Sequence, residues 1–219
     1  WNLSGNTEYG LRVDMAEVIV DGVLLDGNGF AGAFIEDGRS VELSNLTASN
    51  NGQSGIRPGQ QAGLHYLRSN DVESNSGDVR CLHCNVRGNA GHALFIEDSV
   101  DLWIEDLLVE DVAPATVPIS VDNSNLNFGQ LGGRFRFMNV TVWANATDGS
   151  GAALPAVDVQ SADGAFEGMD LHGVHAGVVW NADVPGQRVS YLHDTTLDDA
   201  GCLDLSDQKL LRIDPVSYT

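Results

Sequence analysis

The chain has 219 residues, with 31 acidic side chains against 11 basic ones, a formal charge of -20 and a pI near 4.3. A phosphate-binding surface needs clustered Lys and Arg, so this balance excludes nucleic acid as a partner, and an anionic membrane surface is equally unsuited. No stretch approaches the roughly 18 consecutive apolar residues of a membrane span. This acidity fits a secreted, cell-surface or high-salt protein.

Strand-like runs broken by Gly, Asn and Asp dominate, and one spacing recurs: apolar, any, apolar, two of any, apolar, any, apolar. In chain order it fits Val18, Val20, Val23 and Leu25; Val41, Leu43, Leu46 and Ala48; Val79, Cys81, Cys84 and Val86. It continues through Leu102, Ile104, Leu107 and Val109, then Phe135, Phe137, Val140 and Val142. Looser copies are Gly164, Phe166, Met169 and Leu171, and Ser190, Leu192, Thr195 and Leu197, and Leu211, Ile213, Val216 and Tyr218 close the series. The last positions are separated by 23, 38, 23, 33, 29, 26 and 21 residues, a base unit of about 22 with insertions of varied length. Phe34-Ile35-Glu36-Asp37 returns as Phe95-Ile96-Glu97-Asp98. Eight positions beyond several copies a further strand is expected, at Ala33, Ile56, Leu94, Val117 and Val179.

Alternation points the first apolar pair inward, the two-residue break turns the chain, and the second pair faces inward on the next stretch. Stacked units then bury their apolar edges against one another. Three places beyond the last inward residue lie Asn28, Asn51, Asn89 and Asn145, an expected asparagine ladder that lapses at Val112, Val174 and Ala200.

On these periodic residues the chain resembles the right-handed parallel β-helix of the pectate-lyase-like superfold. The resemblance implies an all-β solenoid of about eight coils with loop insertions, one domain spanning 1–219 and expected to be a piece of a longer protein. Its members include polysaccharide lyases, hydrolases, epimerases and surface passengers, so it does not fix an activity. Pectin hydrolases carry a Gly-His-Gly turn; here the nearest run is Gly91-His92-Ala93.

Insertions at about 57–78, 113–133 and 146–155 are the expected places for recognition. The first holds Arg57, His65, Tyr66 and Arg68, and with Arg80 and Arg87 it concentrates basic side chains suited to a carboxylated sugar. Registering the copies stacks Arg80, Trp103 and Arg136 in one outward column, an aromatic between two cations and a sugar platform. The second break position aligns His83 with Asp106, an acid–base pair in the enzyme reading. A lyase on uronic acids would use Arg80, His83, Asp106 and Arg136, with Ca2+ held by acidic residues as its cofactor. The competing explanation of those acids, including the pairs Glu36-Asp37, Glu97-Asp98, Glu105-Asp106, Glu110-Asp111 and Asp198-Asp199, is a solvated face.

Cys81 and Cys84 occupy inward slots and read as buried thiols, with a local disulfide or a metal pair as alternatives. His172 and Asp170 read as turn residues. The expectation that unites these features is an extracellular or cell-surface β-helix of structural or adhesive role with a polysaccharide or cell-surface glycan as partner. The second is an enzyme on acidic polysaccharide.

Overall fold

The computed structural model describes residues 1–38, 40–67, 79–99, 102–122, 134–143, 147–148, 150–152, 154–160, 163–172, 178–181, 190–198, 203–204 and 211–218. The strands are β1 (Leu11–Asp14), β2 (Glu17–Asp21), β3 (Leu24–Asp26), β4 (Ala33–Glu36), β5 (Ser40–Ser49), β6 (Leu64–Leu67), β7 (Val79–Arg87), β8 (Leu94–Glu97) and β9 (Leu102–Glu110). They continue as β10 (Ile119–Asp122), β11 (Arg134–Trp143), β12 (Val157–Gln160), β13 (Asp163–His172), β14 (Val178–Asn181), β15 (Ser190–Asp198), β16 (Leu203–Asp204) and β17 (Leu211–Tyr218). Among the described residues the helical element is a short 3-10 turn at Pro58–Gln61.

The chain alternates between two sheets. Short strands form one, in the order β1-β4-β6-β8-β10-β12-β14-β16; long strands form the other, β2-β5-β7-β9-β11-β13-β15-β17, with β3 beside β5. Every pairing is parallel, the regular pattern of a repeat solenoid. The copies stack in the register that the apolar spacing gives: Val41 opposite Val79, Leu43 opposite Cys81, Leu46 opposite Cys84 and Ala48 opposite Val86. The same four slots continue into Leu102, Ile104, Leu107 and Val109, and then into Phe135, Phe137, Val140 and Val142. All sixteen of these side chains are buried, each contributing about 1.5–3 kcal/mol for a large apolar group. From the short-strand sheet Ile35, Tyr66, Ile96, Val121 and Val159 complete the core.

The two-residue break is a left-handed kink inside each long strand. Its second residue has positive φ in six successive copies: Gly22, Asn45, His83, Asp106, Asn139 and Gly168, at 50–67°. Asn, Asp and His are the side chains best tolerated there, and Gly adopts it freely. A second left-handed column, Gly27, Asn50, Gly88 and Asp111, closes the long strands, and Asp37 and Asp98 end β4 and β8 in the same conformation. Four of the acid pairs therefore place their second member, Asp37, Asp98, Asp106 and Asp111, at a turn that favours aspartate; Asp199 lies outside the described residues.

The asparagine ladder runs through Asn28, Asn51 and Asn89, all buried. Each Oδ1 accepts both the backbone N–H and the Nδ2 of the preceding asparagine: Asn28 to Asn51 at 3.1 and 2.8 Å, and Asn51 to Asn89 at 2.9 and 3.0 Å. Each Nδ2 also donates to a carbonyl of the preceding unit, Asn51 to Leu25 at 2.9 Å and Asn89 to Ala48 at 3.1 Å. Asn6 extends the ladder by one rung, its Nδ2 2.9 Å from Asn28 Oδ1. Asn145 lies outside the described residues.

Three sequence expectations are corrected. Ile56 is exposed rather than in a strand, because the 3-10 turn is inserted and the strand waits until Leu64. Val117 precedes β10, which starts two residues later. Cys81 and Cys84 are buried as expected but form a disulfide rather than free thiols. The kink at His83 brings the flanking inward slots to a Cα–Cα distance of 6.2 Å, within disulfide reach. Residues Trp1–Gly5 run beside β3, with Leu3 N–H donating to Leu24 at 2.8 Å and Gly5 N–H to Asp26 at 2.9 Å.

Candidate functional site

Residues between the inward slots of a long strand must face outward, and parallel register stacks them one above another. Arg80 on β7 is therefore opposite Trp103 on β9, which is opposite Arg136 on β11. The guanidinium carbons lie 5.0 Å (Arg80) and 5.2 Å (Arg136) from the Trp103 ring, so the indole sits between two cations. Arg136 Nη2 donates to both carboxylate oxygens of Glu167 on β13, at 3.2 and 3.1 Å. The Trp103 indole N–H is buried and has no hydrogen-bond acceptor among the described residues.

Beside this column runs the kink column. His83 Nδ1 is 2.8 Å from Asp106 Oδ2, and Asn139 Nδ2 donates to Asp106 Oδ1 at 3.1 Å. Asp106 thus fixes the imidazole edge-on and leaves Nε2 directed away from it, the orientation a base requires. Both side chains are open to water, 62% exposed for His83 and 38% for Asp106. One unit earlier Asn45 Nδ2 and Ser44 Oγ donate to Asp21 at 2.7 and 2.9 Å, and hold its carboxyl below the usual carboxylate range.

The remaining sequence candidates lie elsewhere. Arg57 is exposed ahead of the 3-10 turn, next to the short-strand sheet. His65 is on the outer face of that sheet, under the turn: a Cβ on Gly59 would come within 2.3 Å of its ring. Its ring packs at a tilt between Phe34 (4.9 Å) and Phe95 (5.1 Å), and its Nε2 is 3.5 Å from Glu97. Tyr66, expected at a binding surface, is instead fully buried in the core, because alternation after His65 turns it inward. Arg68 lies outside the described residues, as do 69–78 and 123–133. Residues close in sequence are spread around the repeat, so among the described residues the basic run does not collect into one patch.

Two groups escaped the sequence reading. Tyr9, Phe34, His65, Phe95 and His92 form an aromatic stack on the short-strand sheet, Tyr9–Phe34 at 4.9 Å and His92–Phe95 at 4.9 Å. His92 Nδ1 donates to the Val117 carbonyl at 2.7 Å, and burial lowers its pKa. Trp143 and His172 stack on the long-strand sheet at 3.8 Å and 9°. His172, expected in a turn, is the last residue of β13, and its Nε2 is 2.9 Å from Asp170.

Among the described residues no three His, Cys, Asp or Glu side chains converge as a metal site, and no helix is long and apolar enough to cross a membrane. Neither a family model nor a curated protein matches the chain. Among solved structures it is similar to trypsin-treated QnrB1, a plasmid-mediated fluoroquinolone resistance protein. Identity is 12% over 95% of this chain and 91% of that one, with a TM-score of 0.22, a likeness on which nothing further rests. What the chain's own geometry supplies is a cationic and aromatic column on an open sheet face, next to an ordered His83–Asp106–Asn139 row.

Proposed function

We propose that the protein is a right-handed parallel β-helix of the pectate-lyase-like kind, with about eight coils, one per copy of the spacing. It serves as a rigid extracellular or cell-surface module of structural or adhesive role, and the outer face of its long-strand sheet receives a carboxylated glycan. The observation that carries this reading is Trp103 held between Arg80 and Arg136. A guanidinium offers a carboxylate N–H donors, and the indole between the two guanidiniums orients both of them. The Cys81–Cys84 disulfide supports an oxidising compartment.

The test is binding to an array of uronate-containing and neutral glycans, with wild type beside Arg80→Ala and Arg136→Ala. Retention of uronate glycans, lost in both variants, is expected; equal retention by the variants refutes the assignment. The second reading, a lyase, epimerase or hydrolase on acidic polysaccharide, is favoured by the 2.8 Å His83–Asp106 contact. As a lyase or hydrolase it predicts unsaturated products or new reducing ends, and as an epimerase inverted uronate stereochemistry without either, assayed with and without calcium and abolished in His83→Asn. Asn45 and Asn139 hold the same left-handed slot, so that variant keeps the backbone.

A further inference from the structure

Both Asn-Gly pairs of the sequence, Asn28-Gly29 and Asn51-Gly52, are rungs of the buried ladder, whereas the outer rungs Asn6 and Asn89 precede Thr7 and Ala90. The fold imposes both halves of each pair. Asparagine supplies the side-chain donor and acceptor that link the rungs. Glycine follows because neighbouring backbone lies against it: a Cβ on Gly29 would strike the Thr7 carbonyl, and one on Gly52, at φ +86°, would come within 2.5 Å of the Gln61 backbone.

The same dipeptide is the least hindered setting for loss of the asparagine amide, since glycine leaves its own nitrogen open to approach. That nitrogen, deprotonated, attacks the side-chain Cγ. The N–Cγ bond forms, the Cγ–Nδ2 bond breaks, and ammonia leaves carrying the proton that the nitrogen gave up. Water then opens the succinimide at either carbonyl, giving aspartate or isoaspartate.

In the native fold the nucleophile and the leaving group are both held. Gly29 N–H donates to the Asn6 carbonyl at 2.8 Å, and Gly52 N–H lies 3.0 and 2.9 Å from the carbonyls of Asn28 and Phe30. Deprotonation there would set a negative nitrogen against acceptor oxygens. Asn28 Nδ2 donates to the Leu3 carbonyl and to Asn51 Oδ1, and Asn51 Nδ2 to the Leu25 carbonyl and to Asn89 Oδ1. Both side chains are fully buried. Turning either peptide toward its Cγ breaks these bonds together, so attack waits for the repeat to open.

We infer that Asn28 and Asn51 are deamidation sites guarded by the native ladder, and that their conversion makes unfolding irreversible. Aspartate at either rung places an unpaired charge in the buried column, and isoaspartate adds a backbone carbon that shifts the stack out of register.

The test holds the protein in mildly alkaline buffer with and without urea and follows amide-to-acid conversion by mass-spectrometric peptide mapping. Iodoacetamide in the urea samples blocks exchange between Cys202 and the Cys81–Cys84 disulfide. In urea Asn28 and Asn51 are expected to convert ahead of Asn89, and in buffer about 10³-fold or more slowly, the factor by which a stable fold suppresses its open state. On dilution, chains held in alkaline urea fail to refold in proportion to their conversion. Chains held equally long in mildly acidic urea, where the nitrogen keeps its proton, refold. Native conversion within about tenfold of the urea rate overturns the inference. So do converted chains that refold like unconverted ones, and chains that fail to refold even after the acidic hold.

Discussion

Replacing Asn51 with alanine isolates the contribution of the ladder to stability. Asn51 is fully buried, and its amide makes four hydrogen bonds: it accepts from Asn28 N–H and Nδ2, and donates to the Leu25 carbonyl and to Asn89 Oδ1. Alanine leaves two buried donors of Asn28 without their acceptor, each costing about 1–3 kcal/mol, and removes one donor from Leu25. Asn89 Oδ1 keeps the Asn51 backbone N–H at 2.9 Å, so that side loses less. The expected destabilisation is about 3–5 kcal/mol, a large part of a typical domain's total. Urea unfolding followed by far-UV circular dichroism reads it as a fall in midpoint. Asn51→Asp keeps the shape but sets an acceptor against the Leu25 carbonyl and Asn89 Oδ1, so it should be worse than alanine. A loss below about 1 kcal/mol for alanine, or an aspartate variant more stable than alanine, would refute the reasoning.

Three more expectations follow from the same geometry. Val112 stands in the slot that would continue the ladder beyond Asn89, so Val112→Asn should raise stability by about 1 kcal/mol, through acceptance from Asn89; an unchanged or lower urea midpoint contradicts this. Burial lowers the pKa of His92, so its neutral form contributes stability that is present above pH 6.5 and is lost as pH falls through the folded-state value. The stability difference between wild type and His92→Phe should therefore shrink in wild type's disfavour from pH 7 to 5, whereas parallel pH curves exclude the effect. The Cys81–Cys84 bond closes a very short ring, so its loss should cost only about 2 kcal/mol by chain entropy. Both sulfurs sit in the core, so alkylation after reductant should wait for denaturant; rapid labelling of the native protein would contradict the burial.

The inward slots were legible because one spacing repeats eight times, and a parallel stack of identical spacings has a single register that buries every slot. That is why the spacing alone aligns Arg80, Trp103 and Arg136, and His83 with Asp106. The left-handed kink was written in the same alignment, as Gly, Asn, His, Asp, Asn and Gly, a composition set by backbone conformation as much as by chemistry. Asn6 was detectable too, 22 residues ahead of Asn28.

Other features depend on how far a strand or turn extends. His172 became a stacking partner of Trp143 because β13 continues one residue past its last inward position. The repeated Phe-Ile-Glu-Asp puts Phe34 and Phe95 in one register, but insertions of different length leave no fixed interval that announces Tyr9 and His65 as their neighbours. The disulfide needed the distance across the kink, which spacing alone does not contain.

The central claim, that the outer face of the long-strand sheet recognises a carboxylated glycan, is tested most directly by calorimetric titration of a uronate tetrasaccharide into wild type and Arg136→Ala. Saturable binding by wild type, weakened about tenfold or more in the variant and by added salt, is the predicted result. Equal affinity in the two proteins, or no heat from wild type at any uronate length, would contradict it.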